Sequence, residues 1–389
     1  MKVIYLDYHA TTPCDDRVMA AMQPYWQEIY GNPHSIDHEF GWKADEAVEM
    51  ARSNIAKTIH ARVRDVYVTS GATEANNIAI KGAALWRKTH EGRNHIITLA
   101  TEHKCVLENV KYLEQQGFDC TILPVNPDGT LDLDQLKQAL NAKTALVSVM
   151  LANNEIGTIY PMAKIAAMAH EYQAWLHCDA AQGLGKFPID VDAMGVDMLS
   201  LSSHKAYGPK GVGALFMRGR TGGNGTCKVT LLPILHGGGQ EKSIRPGTLA
   251  TPLIVGFGTA CALIDEALPQ EMPRIKALRD DLLTRLQQGM NHEFYVNGTM
   301  AARLNGNLHL SFVHIDPAAF MTACPDLAFS SGSACASGTQ VPSHVLQAIG
   351  IDPGQTMTNI RLCIGRMTTK EEVEAAANTI INAVQKLSS

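Results

Sequence analysis

The chain has no Cys-x-x-Cys pair. Its nine cysteines stand at positions 14, 105, 120, 178, 227, 261, 324, 335 and 363, and none lies close enough to another for a zinc ribbon or a dithiol redox motif. An odd, scattered set in 389 residues argues for reduced thiols in a cytoplasmic compartment, most of them serving as small core residues. Basic charge is not in excess either. A formal net charge of -5 gives no electrostatic case for nucleic acid or an anionic membrane as partner. The opening Met1-Lys2-Val3-Ile4-Tyr5-Leu6-Asp7 meets a charge too soon for a signal peptide. The longest apolar run, 253–264, is bounded by Pro252 and Asp265 and is too short to cross a bilayer. His34 and His38 have helical spacing, but no glutamate stands between them as a zinc-protease motif requires, and a proline adjoins them. No internal repeat or low-complexity segment is present. These absences leave an untargeted, soluble protein.

What is present is a rhythm. Hydrophobic content of 46% with 18% charged residues suits a chain that buries a large core, and this length makes two domains the expectation. Asp65 to Ser70 reads as a strand, followed by a helix from about Thr73. Asn94 to Leu99 is the next strand, with a helix from Lys104 to Gln116. Thr144 to Met150 is almost wholly apolar, as in a parallel sheet covered on both faces, and a helix from about Met162 to Tyr172 leads to a strand ending at Cys178. The pattern predicts an α/β large domain over 15–251. A smaller α+β domain is expected from 1–14 and 252–389, with short strands near Tyr295, Leu308 and Ile360 and a last helix from Lys370 to Leu387. Residues 219–225, with four glycines, read as a surface loop.

The polar clusters fall where such sheets bind ligands, beyond the carboxyl ends of strands. Ser70-Gly71-Ala72-Thr73, Thr101-Glu102-His103, Asn153-Asn154-Glu155 and Asp179-Ala180-Ala181-Gln182 all stand there. Gly71-Ala72-Thr73-Glu74 opens a helix whose free N–H groups suit a phosphate, although an ordinary threonine start would look the same. Lys205 closes the run Ser202-Ser203-His204-Lys205. A lysine after a strand, hydroxyl and imidazole groups beside it and an earlier strand-end Asp179 together suggest a pyridoxal phosphate (PLP) enzyme. The lysine would hold the cofactor as a Schiff base and the aspartate would keep the ring nitrogen protonated. Lys210 is the rival lysine, but it lies between Pro209 and Gly211 in a turn. His103 is a candidate to lie on a ring and exchange protons, or a plain structural histidine. Cys335 sits in a run of serine, glycine and alanine that reads as a mobile, exposed loop, or as a linker with an incidental thiol. Arg361 projects from a strand-like segment, as an ion-pair partner or as a fork for a substrate carboxylate.

Taken in order, these motifs resemble the cysteine desulfurases of the class V aminotransferase group, fold-type I PLP enzymes. Tyr5-Leu6-Asp7-Tyr8-His9-Ala10-Thr11-Thr12 and Gly31-Asn32-Pro33-His34-Ser35 look like that family's opening, and the clusters above, Arg245-Pro246-Gly247-Thr248 and the Cys335 run follow in the family's order. The resemblance covers almost the whole chain. It implies a mostly parallel seven-stranded sheet, PLP on Lys205, and conversion of L-cysteine to L-alanine with sulfur passed to Cys335 as a persulfide. It implies that His103 stacks on the ring, Asp179 meets its nitrogen and Gln182 its phenolic oxygen. Thr73, Ser202 and His204 would hold the phosphate, with Thr248 contributed by the neighbouring subunit of a homodimer. Asn154 and Arg361 would bind the substrate carboxylate. The length of the Cys335 segment is similar to that of the members serving iron–sulfur assembly, so a sulfur acceptor or iron–sulfur scaffold protein is the implied partner. His103 is also expected to accept or move the Cys335 proton.

Departures from the family are few. Ser203 stands where a smaller residue is usual, the glycine-rich loop looks long, and the chain stops at Ser389, so that a scaffold partner is expected to dock without a tail. A selenocysteine lyase or another PLP lyase or transaminase of this fold is the nearest alternative. A non-catalytic sulfur relay is the alternative of another class. Cys335 speaks against transamination, and Lys205 with Asp179 against a relay.

Overall fold

The segment Thr144–Ser148 has no exposed residue on either face, which only a sheet covered on both sides permits. That constraint organises the larger part of the molecule. The structure is a computed structural model, and it describes residues 3–219, 229–331, 343–351 and 357–388. In chain order the strands are β1 Ile4–Tyr5, β2 Val66–Thr69, β3 His95–Leu99, β4 Asp119–Leu123, β5 Thr144–Ser148, β6 Trp175–Asp179, β7 Met198–Ser202 and β8 Gly213–Met217. They continue with β9 Phe294–Val296, β10 Asn307–Val313, β11 Leu327–Ala328, β12 Ser330–Ser331 and β13 Met357–Cys363.

Seven of them form one sheet in the order β2-β8-β7-β6-β5-β3-β4. It is α/β and mostly parallel, as expected; only β8 runs against its neighbours β7 and β2. Helices Ala72–Glu91 and Lys104–Gln115 cover one face and Met162–Glu171 the other, giving an apolar core on each side. The order reverses at β3 and β5: β4 lies outside β3, and the chain then crosses back to β5. Such a reversal leaves a crevice at the carboxyl ends of those strands.

A four-stranded antiparallel sheet, β12-β13-β10-β9, and the parallel pair β1-β11 make up the smaller part, around a core of its own. Helix Thr251–Gly289 joins the two parts. It is long and apolar enough to cross a membrane by length and composition alone. Here it is a packing strut, with Ile254, Phe257 and Ile264 in the core of the large sheet and Leu282 and Leu286 in that of the small one. Gly258 permits the close crossing with helix Glu39–Thr58, since a Cβ there would stand 2.4 Å from Ala51 Cα. Helix Lys370–Leu387 starts with a capping box in which Thr369 and Glu372 satisfy each other's backbone N–H groups.

Candidate active site

Five strand ends of the large sheet, those of β2, β3, β5, β6 and β7, open onto one cavity of about 550 Å³. From β2 the chain passes through Gly71, at φ 153°, into helix Ala72–Glu91, whose first turn carries no side-chain cap. A Cβ on Gly71 would touch nothing within 4 Å, so the backbone angle, and not crowding, calls for glycine. The uncapped N–H groups of that turn, with Thr73, face the cavity as an anion site would.

After β7 a single 3₁₀ turn, Ser203–Lys205, brings Lys205 to the cavity wall beside Ser202 and His204. The N-terminal segment braces this turn from behind. Thr12 Oγ1 donates to the His204 carbonyl at 2.9 Å and accepts the Tyr207 N–H at 2.8 Å, while Thr11 Oγ1 meets His204 Nδ1 at 3.1 Å. Burial lowers the proton affinity of the Lys205 amine, with nearby Asp179 opposing that shift and Arg361 adding to it. Burial likewise brings His204 down to about 4, helped by Lys205 and Lys210, so its imidazole is neutral at physiological pH. Lys210 also lines the cavity but is exposed.

At the end of β6, Asp179 accepts from Asn76 Nδ2 at 2.7 Å and from the Ala181 N–H at 3.0 Å. The same Asn76 nitrogen lies 3.2 Å from Cys105 Sγ, which lies 3.0 Å from His103 Nδ1. His103 caps helix Lys104–Gln115, its Nδ1 accepting the Cys105 N–H at 3.2 Å. A nitrogen that accepts a backbone N–H carries no proton itself. Burial also lowers the His103 proton affinity. Neutral His103 therefore holds its hydrogen on Nε2, and presents a hydrogen-bond donor there. Asn76 and Cys105 belong to the site but had no sequence signal as chemistry. Cys105 looks like any small helix residue until the fold sets it in the cavity, where burial pushes its thiol up to about 11.

Of the pair following β5, Asn153 is structural: its side chain ties Thr101 O, Glu155 N and Ile156 N together. Asn154 lines the cavity, and its buried Oδ1 has no partner among the described residues. Arg361, on β13, lies behind it and donates to Asn154 O at 2.9 Å, Asp7 Oδ1 at 2.7 Å and Ser330 Oγ at 2.8 Å. Its Nε is buried without a partner among the described residues. The cavity wall thus unites Thr73, His103, Asn154, Asp179, Gln182, Ser202, His204 and Lys205, while Arg361 stands one layer back.

Two predicted residues are not brought there. Thr248 is exposed and outside this chain's own cavity wall. It follows a run of left-handed residues, Glu241, Lys242 and Ser243, pinned by a bidentate pair of Glu241 with Arg52 at 2.7 and 2.8 Å. Cys335 lies outside the described residues, as does 220–228 of the glycine-rich loop. The described residues flanking the Cys335 segment are anchored at the site: Ser330 Oγ donates to Asp7, and Ser343, which caps the next helix, donates to Glu155 at 2.6 Å.

Residues 4–376 match the family described as "Aminotransferase class-V". This chain belongs to that family. Among curated class-V relatives, "Cysteine desulfurase IscS" of Rickettsia rickettsii (strain Iowa) is 47% identical over 384 residues, covering 99% of this chain and 92% of the relative. The protein of the same name from Ehrlichia chaffeensis is also 47% identical over the same span. Among solved structures, a "NifS-like protein" superposes with a TM-score of 0.89 at 33% identity, over 99% of this chain and 100% of that one. "SspA in complex with cysteine" gives 0.80 at 37% identity, over 92% of this chain and 98% of that one. The residues present fit the PLP implied by the sequence. The Asp179 carboxylate, which would pair with the ring nitrogen, the uncapped start of helix Ala72–Glu91, which would take the phosphate, and the buried Lys205 amine all line one cavity.

Proposed function

We propose that this chain is a PLP-dependent cysteine desulfurase, which takes L-cysteine to L-alanine and transfers the sulfur to Cys335 as a persulfide. The observation that carries this is the meeting of Lys205, Asp179 and the uncapped start of helix Ala72–Glu91 in one cavity. That the chain is 47% identical over nearly its full length to proteins named cysteine desulfurase supports the same reading. Thr73, Ser202 and His204 would hold the cofactor phosphate, Asp179 its ring nitrogen, Gln182 its phenolic oxygen, and His103 would lie on its ring. When bound, the cofactor supplies an electron sink for charge developing at the substrate Cα. Lys205 would anchor it and, when neutral, act as base toward the Cα proton; burial of the amine favours that state. His103, with its hydrogen on Nε2, would offer a hydrogen bond toward the cavity, and would accept or move the Cys335 proton.

Asn154 and Arg361 would orient the substrate carboxylate. The Cys335 thiolate then attacks the substrate sulfur. An S–S bond forms as the C–S bond breaks, and the carbon skeleton leaves as alanine after proton return. A homodimer is part of the proposal, with Thr248 serving the neighbour's phosphate site. Trp26, Tyr30, Ile36, Phe40 and Trp42 support it: all are exposed, with Tyr30 and Phe40 in ring contact and Trp42 bonded to Ile36 O. A cytoplasmic sulfur acceptor, such as an iron–sulfur scaffold protein, is the proposed destination of the sulfur. Purified protein given L-cysteine and a thiol reductant should release alanine and sulfide in equal amounts. Unchanged release by the Cys335→Ser protein would overturn the persulfide route in favour of a selenocysteine-lyase type of site.

A further inference from the structure

Gln182 is amphiphilic at its tip: its amide has a donor end and an acceptor end of nearly equal size, and only its partners decide which end faces the cavity. Two partners do so here. Gln182 Nε2 donates to the His9 carbonyl at 2.9 Å, and Lys186 Nζ donates to Gln182 Oε1 at 2.6 Å. A carbonyl can only accept and an ammonium can only donate, so both fix the same orientation, leaving the second N–H of Nε2 free on a residue that lines the cavity. Lys186 is unusual in its own right. Among the described residues no carboxylate lies within ion-pair distance of its amine, and its neighbours Lys205 and Arg361 repel it. It also lines a small internal cavity of about 30 Å³ shared with His9 and Glu271, but Glu271 is taken by Arg366 at 2.5 Å. A cation buried without a counter-ion is costly and stands where something else needs it. Burial, with Lys205 as the next cause, lowers its pKa to about 7; Cys363 acts in the opposite direction.

We propose that Lys186 is a positioning residue of this site: it holds Gln182 Oε1 from behind, so that the amide presents an N–H, polarised by the adjacent ammonium, to the phenolic oxygen of the cofactor. This deepens the cofactor assignment above and rests on it. Lys186 touches neither substrate nor cofactor; its effect passes through the amide.

The test is the visible spectrum of the cofactor-loaded protein, titrated with pH, in wild type, Lys186→Met, Lys186→Arg and Gln182→Ala. Loss of a polarised donor at an anionic oxygen should raise the midpoint of the spectral transition by about one pH unit in Lys186→Met. Lys186→Arg, which keeps a charged donor, should restore most of it. Adding Lys186→Met to Gln182→Ala should give no further shift, because the path runs through the amide. If Lys186→Met does not fold by thermal melting, Lys186→Gln carries the same readout. An unchanged midpoint in a folded Lys186 variant, with Gln182→Ala shifted, overturns the positioning role and leaves the cofactor assignment standing. Equal extra shifts in the double variant overturn it too, as they would mean direct action. No visible band in wild-type protein reloaded with PLP would overturn the cofactor assignment itself.

Discussion

On the large-sheet side of the cavity, the polar groups are tied to main chain or to each other. Asp179 is held by Asn76 and Ala181 N, Gln182 by His9 O and Lys186, His103 by Cys105 N, and His204 by Thr11. On the small-sheet side, Arg361 is already ion-paired with Asp7, and keeps a buried Nε without a partner among the described residues. Asn154, which follows β5 and accepts from Arg361 at its carbonyl, shares this state, its buried Oδ1 having no partner among the described residues. The first side is braced before any ligand arrives, as suits a resident cofactor, with the N–H groups at the start of helix Ala72–Glu91 and one Gln182 N–H left open toward the cavity. The second keeps unspent hydrogen-bonding capacity for a group that comes and goes. Unsatisfied buried groups cost stability in the resting protein and reward whatever pairs with them.

Replacing Lys205 should separate the two sides most sharply. Lys205→Ala should lower kcat by about 10³-fold, by loss of both anchor and base, while thermal stability changes little. Alanine release under saturating L-cysteine measures it. Arg361→Gln should leave the absorbance of the loaded protein intact but raise the KM for L-cysteine by roughly 10- to 100-fold, as for loss of charge-assisted bonds to a carboxylate. A change in kcat alone would mean that Arg361 belongs with the braced side.

The histidines give a comparison by pH. His177 on β6 lies between Ser148 and Ser200 in the large sheet, and burial takes it from the usual 6.5 to about 4. His309 on β10 of the small sheet falls to about 3, again mainly by burial. Both fold neutral, while the unfolded chain takes up protons near 6.5. Stability is therefore whole above pH 6.5 and falls as pH drops toward 4, by at most about 1.4 kcal/mol per pH unit for each histidine. Denaturant melts at pH 7, 5.5 and 4.5 should show this loss, and His177→Gln should flatten it. The smallest effect is expected at Ser203, whose buried Oγ has no partner among the described residues. Ser203→Ala should leave stability unchanged or raise it by about 1 kcal/mol, read from the denaturation midpoint.

The braced side was largely legible in the sequence because it is local. Each of its groups follows a strand whose apolar run is plain, so Lys205, Asp179 and His103 could be placed from pattern alone. Strand β4 was not seen, since it is an edge strand with Asp119 and Ile122 exposed and no buried run to mark it. The partners were hidden for another reason. Asp7 and Arg361 are 354 residues apart, and Asn76 meets Asp179 across 103. Lys186 is only four residues from Gln182, yet it sits in a turn where helical periodicity gives no cue. Such contacts are made by the fold and leave no spacing to read.

The claim that most depends on this contrast is that the cofactor is anchored by the buried, braced lysine and not by the exposed one beside it. Protein loaded with PLP, reduced with borohydride and mapped by peptide mass spectrometry tests it directly. The label should fall on Lys205 with Lys210 unmodified; a label on Lys210, or none on either, would contradict the account.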